Sequence, residues 1–178
     1  MRKLLNQELG RKTAEEYKSS EKSPFVIVLD NVRSQNNVGS VFRSADAFLV
    51  EKIILCGITA TPPNPDIRKT ALGASESVPW EYFEDTVNAI KQLKKQGYNI
   101  IAIEQVDSST ELQDFKIEKG KRYALIFGHE INGVGQAVID ICDDCIEIPQ
   151  FGTKHSFNIA VSTGIVLWEL NKKRMKGN

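Results

Sequence analysis

Cysteine is scarce, no long apolar run occurs and net charge is absent, and each shortage excludes something. Only three cysteines stand among 178 residues, which reads as free thiols in a reducing compartment and not as a disulfide frame. The opening Met1-Arg2-Lys3-Leu4-Leu5-Asn6-Gln7-Glu8 meets a carboxylate before any apolar core forms, unlike a secretory signal. No apolar stretch approaches the ~20 residues of a membrane span. These absences predict a soluble cytoplasmic protein with no membrane partner. Lys plus Arg and Asp plus Glu number 23 each, so the bulk positive charge of a dedicated nucleic-acid binder is missing. No repeat, low-complexity tract or Gly/Ser linker divides the chain, and its length suits one domain, residues 1–178, that needs no metal or disulfide staple.

Several catalytic fingerprints are missing as well. Gly128 to Gly133 has the glycine spacing of a phosphate-binding loop, but Val134 stands where the lysine belongs. No GxGxxG follows the first apolar run, so the dinucleotide signature is absent. His155 and Ser156 lie near carboxylates in sequence, yet no GxSxG elbow occurs, and Ser156 reads as the N-cap of the last helix. Cys142 and Cys145 have CxxC spacing, but His129, His155 and Cys56 supply no second paired motif for zinc. No metal is expected.

What is present is an alternation. Short continuous apolar runs at 25–29, 52–56, 99–103, 123–127 and 145–148 read as strands buried on both faces. Between them, Val38 to Leu49, Asp85 to Gln96 and Gly135 to Ile141 have helical patterns. Leu4 to Ser20 reads as a leading helix within an extension over 1–22. Ser156 to Lys173 reads as a last helix, apolar nearly all round in its first three turns, so that part should be buried, before a basic tail over 171–178. The tail's Lys172, Lys173, Arg174 and Lys176 read first as a solvated helix end. Strands alternating with helices predict an α/β fold, a mostly parallel sheet with helices on both faces.

In such sheets chemistry sits in loops beyond the carboxyl ends of the strands, and three loops here are rich in polar residues and glycine. The first contains Asn37-Val38-Gly39-Ser40-Val41-Phe42-Arg43, the second Gly128-His129-Glu130-Ile131-Asn132-Gly133-Val134-Gly135, and the third runs from Ile148-Pro149 to Ser156-Phe157-Asn158. In this order they resemble the three signature motifs of the SpoU (TrmH-like) family of RNA ribose methyltransferases, in the SPOUT superfamily. The resemblance runs from about Phe25 to Leu170.

That resemblance implies a C-terminal trefoil knot, a homodimer, and S-adenosylmethionine (AdoMet) as methyl donor to a ribose 2′-hydroxyl of tRNA or rRNA. It matches Gly128, Ile148 and Phe157 to donor-binding positions, and Asn37, Arg43, Glu130, Ser156 and Asn158 to catalytic ones. Arg43 would be the key residue, acting chiefly by orienting phosphate and stabilising developing alkoxide, because a guanidinium has no acceptor for a proton. Many relatives carry an extra N-terminal RNA-binding domain. Here the RNA contacts would fall to the catalytic domain, with Arg33, Arg68, Lys69 and Lys154 as candidates. Two other readings stay open: a catalytically silent RNA-binding or assembly protein on this fold, and a methyltransferase acting on a base.

Overall fold

The computed structural model describes residues 1–176. Among them seven strands, β1 (Ser23–Asp30), β2 (Val50–Cys56), β3 (Trp80–Phe83), β4 (Tyr98–Ile103), β5 (Thr110–Glu111), β6 (Arg122–Phe127) and β7 (Asp144–Glu147), form one sheet in the spatial order β3-β2-β1-β6-β4-β7-β5. Every pairing is parallel. The helices are α1 (Ala14–Ser19), α2 (Gln35–Ala47), α3 (Pro65–Ala71), α4 (Ala74–Ser77), α5 (Thr86–Lys95), α6 (Gln136–Ile139) and α7 (Ile159–Lys176).

The unbroken apolar runs have a simple cause. Along β1 the side chains of Phe25, Ile27 and Leu29 enter the core beneath α2, α3 and α7, while Val26 and Val28 enter the one beneath α5 and α6. All five are fully buried, each contributing on the order of 1.5–3 kcal/mol. The five predicted runs became β1, β2, β4, β6 and β7. Strands β3 and β5, and helices α3 and α4, lie outside the apolar runs and helical patterns of the sequence.

The leading helix is corrected. Leu4 to Ser20 is not one helix: a 3₁₀ turn at Asn6–Leu9 ends on Gly10 at φ 56°, and α1 restarts behind a Thr13–Glu16 capping box. The left-handed residue cannot continue a helix. Tyr17 anchors the segment, its hydroxyl donating to the Val50 carbonyl at 2.8 Å.

The last helix is corrected too. It starts at Ile159, and only one side is covered: Ile159, Thr163, Val166, Leu167 and Leu170 are buried, whereas Val161 and Trp168 are 49% and 59% exposed. In the basic segment, Lys173 is not solvated. Its Nζ donates to the carbonyls of Leu112, Gln113 and Phe115 at 2.7–2.8 Å, and burial pulls its pKa down. Gly177 and Asn178 lie outside the described residues.

Candidate active site

The three polar loops converge beyond the carboxyl ends of β1, β6 and β7. Glu130 is the hub. Its carboxylate accepts the backbone N–H of Arg33 at 3.0 Å and of Ser34 at 2.9 Å, and the side-chain amide of Asn37 at 3.1 Å. Asn37 Oδ1 in turn accepts from Asn158 Nδ2 at 3.1 Å, and Asn158 Oδ1 takes the Ala160 N–H at 2.9 Å. One residue from each motif thus joins a single hydrogen-bond chain. Burial works against the charge on Glu130, but the N–H groups of Arg33, Ser34 and Glu130 itself, with the Asn37 amide, outweigh it and hold the pKa below the usual carboxylate range.

Local sequence explains these positions. Ser34 is the N-cap of α2, accepting the Asn37 N–H, so Asn37 lies inside the first turn with its amide placed to bridge. Asn158, not Ser156, takes the capping contact at α7 through Ala160 N–H. Ser156 remains exposed in the loop before it.

Beside this chain lies a cleft of about 450 Å³, within the range of small-molecule sites. Its walls include all three proposed donor-binding residues, Gly128, Ile148 and Phe157, together with Glu130, Ser156 and Asn158. The Gly128 wall is bare backbone. A Cβ there would run into the Gly133–Val134 peptide, so glycine is what lets the two main-chain segments touch at the cleft wall. The loop is closed by paired backbone bonds between His129 and Gly133, and by His129 Nδ1 accepting the Ile131 N–H at 3.0 Å.

Arg43 is elsewhere within the chain. Exposed on α2, it lines a second groove of about 590 Å³ with Lys69, Ser40, Thr70, Leu72 and Val161. Ala160 and Val161 face that groove while Ile159 and Ser162 face the cleft, so the first turn of α7 stands between the two. Of the remaining candidate RNA contacts, Arg33 is exposed beside Glu130; Arg68 on α3 and Lys154 in the third loop are exposed but line neither cavity.

Three residues were missed from sequence. Asp30, 3% exposed, ends β1 by accepting Thr86 Oγ1 at 2.5 Å, the Gly135 N–H at 3.1 Å and the Asn31 amide. Glu104, just past β4, accepts the Val134 N–H at 2.9 Å, and Gln105 donates to the His155 carbonyl at 3.1 Å. The signal was available: Asp30 and Glu104 are each the carboxylate that ends an apolar run. The CxxC thiols belong to the packing instead. Cys142 is pushed up to about 12 by burial, with its thiol on the Val138 carbonyl.

Residues 24–168 match the family model described as SpoU rRNA Methylase family. The chain is 31% identical over 155 residues to the 23S rRNA (guanosine-2'-O-)-methyltransferase RlmB of Neisseria meningitidis serogroup B, covering 87% of this chain and 61% of that one. Its counterpart in Escherichia coli K12 is 32% identical over 151 residues, with 85% and 61% covered. The chain therefore spans about three fifths of the length of the curated relatives it matches. Among solved structures, an AdoMet-bound rRNA methyltransferase from Sinorhizobium meliloti superposes with a TM-score of 0.78 at 27% identity, over 85% of this chain and 57% of that one. The TrmH/SpoU tRNA modifying enzyme of A. aeolicus shares the fold at a TM-score of 0.81 and 24% identity, with 92% and 82% covered. The chain belongs to the SpoU rRNA Methylase family.

Proposed function

We propose that this chain is an AdoMet-dependent methyltransferase acting on a ribose 2′-hydroxyl of rRNA or tRNA. The observation that carries the reading is the Glu130–Asn37–Asn158 chain at the mouth of a cleft walled by bare glycine backbone. The cleft suits the donor chemically. The main chain at Gly128, with no side chain in the way, can approach an adenine edge, and Ile148 and Phe157 can cover its face. When bound, AdoMet supplies a methyl group on a positively charged sulfur.

The protein's own part is orientation and charge. Asn37 and Asn158, locked by each other and by Glu130, are placed to hold a ribose without rearranging. Arg43, with Lys69 alongside, would hold an RNA phosphate bidentately and stabilise negative charge growing on the 2′-oxygen.

The remaining expectations belong to the same proposal. The C-terminal segment would be threaded as a trefoil knot, which suits its course: Gln105 and Gln150 both donate to the His155 carbonyl, and Lys173 then fastens α7 to the segment after β5. A homodimer would cover Val161 and Trp168 on the bare side of α7. One methyltransferase domain would work on cytoplasmic RNA; no helix among the described residues is long and apolar enough to cross a membrane.

The test uses RNA from cells lacking this protein. Incubated with the enzyme and AdoMet, then digested and scanned by mass spectrometry, it should gain a 2′-O-methyl nucleoside at one position. Arg43→Ala should lower the rate at saturating RNA by roughly 10²–10³-fold while AdoMet still binds. A methyl group on a base, or an unaffected Arg43→Ala enzyme, would overturn the reading.

A further inference from the structure

The charge of the cleft is one-sided. Among its lining residues Glu104, Glu130 and Glu147 bear carboxylates, and none is lysine or arginine. A polyanion such as RNA gains nothing from such walls; a cation does. The three acids are not equivalent. Glu130 is committed to two backbone N–H groups and the Asn37 amide. Glu147 makes no side-chain hydrogen bond among the described residues. Glu104 is different: Oε2 accepts the Val134 N–H and Oε1 accepts the Gln105 N–H, both at 2.9 Å. It lies so close under Gly133, at φ 64°, that a Cβ on that glycine would overlap Oε2. A carboxylate offers about four acceptor positions, so this anchored group keeps lone pairs and negative charge for the cleft.

We propose that Glu104 is a specificity-determining residue for the methyl donor, making the cleft favour the cationic sulfonium over the neutral thioether that remains after transfer. The inference rests on the donor reading above. In the reaction the bond from sulfur to the methyl carbon breaks, and its electron pair stays on sulfur. The 2′-oxygen forms the new bond to that carbon, and the hydroxyl proton leaves to solvent. The ligand therefore loses one positive charge in the step that consumes it. A fixed negative charge in the wall holds the substrate more tightly than the product and eases product release.

The experiment is calorimetric titration of the full chain with AdoMet and, separately, with S-adenosylhomocysteine, comparing wild type, Glu104→Gln and Glu104→Asp. Glu104→Gln removes the charge at nearly constant shape. It should weaken AdoMet by roughly five- to tenfold, as expected for losing a partly screened charge pair, and S-adenosylhomocysteine by less than twofold. Glu104→Asp is too short to keep the Val134 contact but retains the charge, so both ligands should weaken together with their ratio preserved. Equal weakening of both ligands by Glu104→Gln would make Glu104 a loop clamp only and overturn the proposal, as would no weakening of either. A wild-type chain that binds neither ligand would overturn the donor reading itself, which separates the two failures.

Discussion

Glu130 shows how much a single side chain holds together. Without it the N–H groups of Arg33 and Ser34 and the amide of Asn37 lose their acceptor. Glu130→Gln keeps one oxygen but loses the charge, at a cost of about 1 kcal/mol for a partly exposed group. The pH dependence has a definite sign. Because the folded pKa lies below the ordinary value of 4.5, the carboxylate's contribution is present above about pH 4.5 and disappears as pH falls through the folded pKa. The melting temperatures of wild type and Glu130→Gln should differ by a constant amount at neutral pH and converge in acid. A gap that persists undiminished at the acid end would mean that the charge is not what stabilises the loop.

At the scale of elements, the motif glycines are explained by packing. A Cβ on Gly39 would meet Thr70 Oγ1 and the Ile67 carbonyl of α3, so Gly39 is where α2 and α3 touch backbone to backbone. Gly39→Ala should destabilise the chain by about 1–3 kcal/mol, a melting-point loss of several degrees, with the cleft on the other side of α7 still binding AdoMet. An unchanged melting temperature would show that the two helices separate without cost. The same geometry marks what the sequence could reveal. Runs such as Phe25 to Leu29 and Tyr123 to Phe127 announce strands because both faces are buried, leaving no polar alternation. Strands β3 and β5 gave no such pattern, because β3 has no fully buried residue and β5 has only two residues. The start of α7 was misread at Ser156 because capping depends on which side chain reaches an N–H, and Asn158 does so. The chemistry of Asn37, Glu130 and Asn158 was legible only jointly: each alone is an ordinary cap or surface acid. The separation of Arg43 from the cleft was not legible, since it depends on where α7 lies against α2.

That separation becomes an argument at the scale of the whole molecule. Val161, Trp168 and Met175 recur every seven residues along α7, hence on one face, and they are 49%, 59% and 71% exposed. Apolar side chains at this spacing call for a cover, and no element among the described residues supplies one. Val161 also lines the groove that holds Arg43, so a second copy packed on this stripe would reach that groove as well. The cleft, by contrast, is lined by this chain's own loops, the ends of β4, β6 and β7 and the first turn of α7. Dimerisation and donor binding should therefore separate. On the proposed homodimer, wild type should run as two chain masses by light scattering and the double variant Val161→Glu and Trp168→Glu as one, because placing carboxylates within an apolar interface costs several kcal/mol. The monomer should bind AdoMet with near wild-type affinity by calorimetry, yet lose methyl transfer to RNA. A variant that remains dimeric would remove the stripe as the interface, and a monomer with full transfer activity would show that one chain is enough.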